Sequence, residues 1–229
     1  MGRRPLVFTK GAILLAAALV GVAMLVPAAA PAQPGFGGFF GFGRRAPPPS
    51  LTFTYRGWRV DASRMDRAMR PEAGVKRIQA QLDLVARTAP RADVLGFMQT
   101  IPIIADPSPG TEPGRYMRGR GILVRVRLLD PKKPMVLRQL LYAYQDQRLP
   151  GGFANVDVAR FRQAAISRKA WPQTAAMLQN DADYFAFTAT AYLAGTITRE
   201  PYNRANLRKT QPDYYQWLAR VLDGGRARG

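Results

Sequence analysis

The chain has 229 residues and a formal net charge of +19, with 34 Lys and Arg against 15 Asp and Glu. It contains neither cysteine nor histidine, which excludes disulfides, thiolate nucleophiles, Ser-His-Asp triads and metal sites built on imidazole or thiolate ligands. The basic balance predicts attraction to anionic partners such as phospholipid headgroups, lipopolysaccharide phosphates or nucleic acid. The same balance is equally consistent with a surface whose charges are merely solvated.

The first 32 residues have the pattern of an export signal. A basic start (Arg3, Arg4) precedes an apolar stretch over residues 11–26, which is followed by an Ala-Pro-Ala cleavage signal. We therefore expect a signal peptide at residues 1–32 and a periplasmic or secreted protein, or a membrane-anchored one if the signal is not cleaved. The arginine pair leaves both the general and the twin-arginine export routes open. Removal of the signal takes away three basic residues and no acidic one, so the remaining chain carries a charge of +16.

The rest of the chain divides into three segments by composition. Residues 33–50 are rich in Gly, Phe and Pro without any period, which predicts a flexible linker. Residues 51–222 carry periodic apolar patterns and are expected to form a single folded domain. Residues 223–229 form a basic C-terminal tail, which we expect to be frayed.

The domain contains a few strands and several helices. In chain order, the pattern predicts a strand over 51–62, a helix over 72–88, a helical turn over 92–98, a buried strand over 101–105, a loop over 106–115, a strand with a basic outer face over 122–129, and helices over 135–147, 156–169, 181–194 and 213–222. Because the strands come first and the helices later, we expect an α+β fold with a small sheet packed on several helices.

Four separate blocks of the domain resemble those of a known family. They read LRQLLYAYQDQ at 137–147, LPGGF at 149–153, NDADYFA at 180–186 and QPDYYQWL at 211–218. In order and spacing they are similar to blocks of secreted bacterial zinc-metallopeptidase-like proteins, a family distantly similar to the catalytic domain of anthrax lethal factor. The first block resembles that family's zinc helix, which looks like LHELxHAYHDQ. The resemblance implies a zincin-like metallopeptidase fold.

The same resemblance implies where a zinc site has been lost. In the family motif, two His at i and i+4 bind zinc, the Glu between them is the general base, and a later carboxylate completes the site. The matching positions here are Arg138 and Tyr142 for the histidines, Gln139 for the base and Asp183 for the carboxylate. Arginine does not release its proton to bind a metal, glutamine is no base, and tyrosine ligates only as phenolate. The sequence thus predicts a pseudoenzyme without a metal or other cofactor.

We further expect Arg138 to replace the metal as the local positive charge. It would form an ion pair with Asp183, with Tyr142 hydrogen-bonding nearby. The alternative is that Arg138 points into solvent. Phe187, one helical turn beyond Asp183, is expected to belong to the core.

Three functions from different classes follow from these features. The favoured one is a non-catalytic binding or structural protein of the cell envelope whose partner is a protein or peptide. The second is a basic binder of lipid, lipopolysaccharide or nucleic acid, for which the sequence offers a cluster of arginines as a possible anion-binding surface: Arg115, Arg118, Arg120, Arg125 and Arg127. The third is a hydrolase that uses Asp146, Asp181 and Asp183 in place of zinc.

Overall fold

The computed structural model of the chain describes residues 51–65, 71–198 and 201–229. The expected signal peptide at 1–32 and the expected linker at 33–50 lie outside these described residues. Within them, no helix has the length and apolar character needed to cross a membrane.

A five-stranded sheet is formed by the N-terminal half of the domain. Its strands are β1 (Thr52–Tyr55), β2 (Trp58–Asp61), β3 (Ile103–Asp106), β4 (Gly114–Met117) and β5 (Gly121–Arg125). Their order across the sheet is β1-β2-β3-β5-β4. The central pairs β2–β3 and β3–β5 are parallel, whereas the outer strands β1 and β4 are antiparallel to their neighbours. The mixed sheet places β4 at one edge, and the candidate site lies beside that edge.

The predicted strand over 51–62 is a hairpin and not a single strand. Tyr55 pairs with Trp58, which leaves a two-residue turn at Arg56 and Gly57 with φ of 47° and 86°. Two successive residues with positive φ give the turn whose twist matches that of the flanking strands. A Cβ at position 57 would lie 2.8 Å from the Gln99 amide nitrogen, so the close approach of Gln99 also favours glycine there.

The described residues also form seven helices. They are α1 (Pro71–Thr88), α2 (Ala92–Thr100), α3 (Met135–Arg148), α4 (Val156–Ser167), α5 (Asp181–Ala194), α6 (Arg204–Thr210) and α7 (Pro212–Asp223). The combination of this sheet and these helices confirms the α+β class. All of the predicted helices are present, and Gly195 ends α5 with φ of 88°, as expected for a glycine after a helix.

Three short elements differ from the prediction. Strand β5 ends at Arg125, because residues Val126–Leu128 turn into a 3-10 helix that leaves Leu128 exposed. Strand β4 and helix α6 were not predicted. Both are short, and α6 buries only Leu207, so neither displays an apolar period long enough to recognise in the sequence.

Helices α3 and α5 lie side by side in the centre of the domain. Helix α5 is apolar on all sides and buries nine of its residues, as expected for a helix inside a core. Two of them are threonines, and each donates its hydroxyl to a carbonyl four residues earlier: Thr188 to Tyr184 and Thr190 to Ala186, both at 2.6 Å. The hydroxyls of these two threonines therefore have acceptors inside the helix, and the apolar surface of α5 packs against α3.

The start of α3 is held by a side chain from α1. Gln81 is fully buried; its Oε1 accepts hydrogen bonds from the backbone N–H groups of Met135 (3.0 Å) and Val136 (3.1 Å). Its Nε2 donates to the carbonyls of Asp130 (2.6 Å) and Lys133 (2.8 Å). Pro134, which precedes the helix, provides no side-chain cap, so Gln81 satisfies N–H groups that would otherwise be orphaned.

The C-terminal residues are held against the domain, in contrast to the frayed tail that we expected. Arg228 donates from Nη2 to Asp223 at 2.8 Å and to the Ala89 carbonyl at 3.0 Å. Its own carbonyl accepts a hydrogen bond from the Tyr215 hydroxyl. A buried carboxylate at Asp223 explains the difference, because it attracts a basic side chain of the tail.

Candidate functional site

A cleft of about 640 Å³ opens between the edge strand β4 and the helices α3 and α5. Strand β4 and the residues before it form one wall, α3 forms the floor, and the N-terminal part of α5 forms the opposite wall. The residues that line it are Glu112, Pro113, Gly114, Arg115, Tyr116, Arg138, Gln139, Tyr142, Phe153, Ala176, Asn180, Ala182, Asp183 and Phe187. All four positions singled out by the family resemblance, Arg138, Gln139, Tyr142 and Asp183, are among them.

Tyr142 and Asp183 connect the floor to the wall. The Tyr142 hydroxyl donates a short hydrogen bond to Asp183 Oδ1. Asn180 Nδ2 donates to the other carboxylate oxygen, Oδ2, at 2.8 Å. Asn180 is also the N-cap of α5, since its Oδ1 accepts from the Asp183 N–H at 2.8 Å. Both carboxylate oxygens of Asp183 are therefore engaged within the protein.

Arg138 does not form the predicted ion pair with Asp183. Its guanidinium lies instead over the ring of Phe187, 4.5 Å from the ring centre, in a cation–π contact. The hydrogen bonds to Asp183 come instead from Tyr142 and Asn180. Phe187, expected in the core, is only half-buried and offers its ring face to the cleft.

Burial sets the protonation behaviour of the two side chains on α3. Burial lowers the pKa of the Arg138 guanidinium below its ordinary value, while Tyr142 and Asp183 act in the opposite direction. Burial first, and then the hydrogen bond to Asp183, raises the pKa of Tyr142 far above the ordinary value for a phenol. Tyr142 consequently remains neutral, and its hydroxyl donates a hydrogen bond to Asp183.

The edge strand approaches α3 closely at Gly114. A Cβ on this residue would lie 3.2 Å from Cγ of Gln139 and 3.1 Å from the carbonyl oxygen of Leu123. Gln139 itself is almost completely buried beneath the strand. A larger side chain at position 114 would push β4 away from the helix, so glycine allows the strand to form the cleft wall.

A second polar cluster fixes the other end of β4 to α3, and the sequence did not reveal it. The side chain of Asp146 is only 1% exposed; it accepts hydrogen bonds from the Tyr116 hydroxyl at 2.7 Å and from Arg118 Nε at 2.8 Å. Gln147 donates to the Tyr116 hydroxyl at 2.9 Å. Burial would raise the pKa of Asp146, but the bonds from Arg118 and Tyr116 outweigh it and hold that pKa below its ordinary value.

Most of the arginines proposed as an anion-binding surface have internal partners. Arg118 is bound to Asp146, Arg115 lies 3.6 Å from Glu112, and Arg125 lies 3.9 Å from Asp106. Arg120 and Arg127 are exposed. Of these five residues, only Arg115 lines the cleft.

The three aspartates proposed for hydrolysis are not brought together either. Asp146 is bound by Arg118 and Tyr116, and Asp181 forms an ion pair with Arg162 at 2.5 Å. Only Asp183 lines the cleft. The other acid in the cleft lining is Glu112, which we did not predict and which pairs with Arg115.

The zinc ion that the resemblance implies does not fit these side chains. The guanidinium of Arg138 has no lone pair for a metal, Tyr142 is held as a neutral phenol, and Asp183 is the one carboxylate among these three side chains. Within residues 51–65, 71–198 and 201–229, no three acidic side chains lie close enough together to hold a metal ion. Arg138, Tyr142 and Asp183 together therefore do not provide the three ligands of a zinc site.

Comparison of the chain with protein-family models, with curated proteins and with solved structures finds no match. These comparisons do not link the chain to a metallopeptidase family, and the resemblance of the four sequence blocks stays a prediction.

Proposed function

We propose that this protein is an exported, non-catalytic relative of zincin-like metallopeptidases, a pseudo-metallopeptidase of the cell envelope whose cleft binds an extended polypeptide. The observation that carries the proposal is the position of Arg138, Gln139, Tyr142 and Asp183. These four residues, matched to a metallopeptidase site by sequence alone, line one cleft beside an antiparallel edge strand.

The backbone of β4 supports a polypeptide as the ligand. The Pro113 carbonyl accepts a hydrogen bond from the Arg125 N–H at 2.9 Å, which fixes the register of β4 on β5. Because the backbone groups of an antiparallel strand alternate in direction, those of Gly114 and Tyr116 point away from β5 and toward the open edge. An extended chain that pairs with this edge gains backbone hydrogen bonds, and the cleft receives its alternate side chains.

The side chains of the cleft support binding without hydrolysis. Gln139 replaces the general base and Arg138 the first metal ligand, and neither residue can take over the lost role. A peptide held along β4 would therefore remain intact. The envelope location rests on the signal pattern of the first 32 residues.

Peptide selection followed by blockade of the cleft tests the proposal. A phage-displayed library of unstructured dodecapeptides is selected on the purified chain, and the affinities of the selected peptides are measured by calorimetry. Ala176 is exposed and lines the cleft, so Ala176→Trp fills it without disturbing the core. We expect this substitution to weaken binding more than about tenfold.

The matched control is Ala92→Trp, which adds the same side chain at the exposed start of α2. Binding should be unchanged in this variant. Failure to select any peptide, or equal binding by the Ala176→Trp variant, would contradict the proposal.

A further inference from the structure

We propose that Arg138 is the receptor for a carboxylate, so that the extended polypeptide bound in this cleft is an acidic one. The inference rests on the proposed function and gives it a ligand chemistry. Arg138 is well placed for this role, because it lines the main cleft and also a smaller one of about 220 Å³ formed with Lys133, Pro134 and Thr190.

Arg138 is held in place by its ring contact, yet its hydrogen-bond donors are unused. Its Nε is buried and has no acceptor among the described residues. The Phe187 ring at 4.5 Å fixes the plane of the guanidinium. A planar, preorganised guanidinium with free N–H groups matches the two oxygens of a carboxylate. A ligand carboxylate would supply the missing acceptors.

The other arginines that lie over aromatic rings show that this situation is unusual. Four of them also form an ion pair with an aspartate: Arg56 with Asp83, Arg118 with Asp146, Arg160 with Asp157 and Arg228 with Asp223. The fifth, Arg148, lies over Phe97 at the exposed end of α3, where water reaches it. Among the described residues, Arg138 alone combines partial burial, a ring contact and the absence of a carboxylate partner.

The acids in the cleft do not provide that partner. One carboxylate oxygen of Asp183 accepts a hydrogen bond from Tyr142, and the other accepts one from Asn180. Glu112 is exposed and lies 3.6 Å from Arg115. Neither acid forms an ion pair with Arg138, so a carboxylate of the ligand would be its first such partner. Two sources have this chemistry, an Asp or Glu side chain within the peptide and a free C-terminus.

Peptide pools of defined charge distinguish these sources. Four pools of acetylated hexapeptides have uncharged residues at five randomised positions. Three of them are amidated and carry Glu, Lys or Ser at the sixth position, and the fourth carries Ser and a free C-terminal carboxylate. Affinity for the purified chain is measured by competition against one labelled reference peptide.

We expect the Glu pool or the free-carboxylate pool to bind about tenfold more tightly than the amidated Ser pool, and the Lys pool to bind most weakly. Whichever carboxylate pool has the advantage identifies the source. In Arg138→Gln the advantage should disappear while the binding of the Ser pool remains. Arg148→Gln, which removes an arginine from the same helix outside the cleft, should retain the advantage.

The other outcomes overturn either the role given to Arg138 or the proposed function as a whole. Equal binding of the Ser and carboxylate pools to the unaltered chain overturns the inference but leaves the peptide-binding cleft in place, and this comparison needs no variant. Equal loss of all pools in Arg138→Gln shows a structural role for Arg138 and also overturns it. If no pool binds the unaltered chain, the proposed function fails as well.

Discussion

Tyr142 links helices α3 and α5 by a direct hydrogen bond. Its hydroxyl spans the gap between α3 and α5 and ends on a carboxylate oxygen of Asp183. A histidine at the same position is shorter, and a metal ion between the histidine and the carboxylate would fill the difference, with bonds of about 2 Å on each side. We therefore expect space for a metal ion between the two helices only in a variant that carries histidine at this position.

Restoring the two histidines tests whether this cleft keeps the geometry of a zincin. In the double variant Arg138→His and Tyr142→His, two imidazoles at i and i+4 lie on the face of α3 that faces Asp183. Together with the Asp183 carboxylate they give three ligands. We expect this variant to bind zinc. At a free zinc concentration of one hundred times Kd, binding should raise the free energy of unfolding by about 2.7 kcal/mol. Thermal unfolding with and without zinc measures this.

Adding Asp183→Asn to the double variant removes the third ligand and should weaken zinc binding, which is the control. If zinc leaves the unfolding of the double variant unchanged, the zincin-like geometry is wrong.

The residue-scale prediction from sequence had a mixed result. The four positions lie in one cleft, as the family resemblance implied, but the predicted Arg138–Asp183 pair was wrong. No sequence pattern indicated that Arg138 would lie over Phe187 while Tyr142 and Asn180 bond to Asp183.

At the scale of elements, long amphipathic segments were predictable and short connecting ones were not. Helix α1 has a clear apolar period over 18 residues, so its existence followed from spacing alone. Strand β4 has four residues, follows a Pro-rich loop and depends on pairing with β5 and contact with α3. Its formation is decided by tertiary contacts, and for that reason the cleft wall escaped prediction although the floor did not.

Gln81 links two elements, and its replacement should show how strongly α3 depends on α1. Gln81→Met keeps the volume but leaves two N–H groups and two carbonyls without their partner. We expect a loss of about 3 kcal/mol in the free energy of unfolding. Urea denaturation measures it. Gln163→Met, at an exposed site on α4, is the control and should change little. A similar effect of both substitutions would contradict the role given to Gln81.

At the scale of the whole molecule, the absence of histidine makes the pH dependence of stability simple. No side chain of the chain has an ordinary pKa between about 5 and 8, so we expect a plateau of stability there. Two groups of residues with shifted pKa values limit the plateau. They are the aspartates 61, 106 and 146 on the acid side and the tyrosines 142, 184, 192 and 214 on the alkaline side.

The signs at the two limits follow from the direction of each shift. The pKa of Asp146 is lowered on folding, so its contribution is present above the ordinary carboxyl pKa of about 4 and is lost as the pH falls further. Burial raises the pKa of Tyr214, so the folded state disfavours its ionisation, and stability is lost as the pH rises above about 10.

Urea unfolding between pH 2 and pH 12 measures this profile. We expect the free energy of unfolding to be constant from about pH 5 to pH 9 and to fall on both sides. Asp146→Asn should reduce the fall in the free energy of unfolding at acid pH, because it removes the carboxylate that Arg118 and Tyr116 stabilise. Asp157→Asn, which alters an exposed ion pair with Arg160, should leave the fall at acid pH unchanged. A steep change of stability between pH 5 and pH 8 would contradict the expectation, since the chain has no imidazole to produce it.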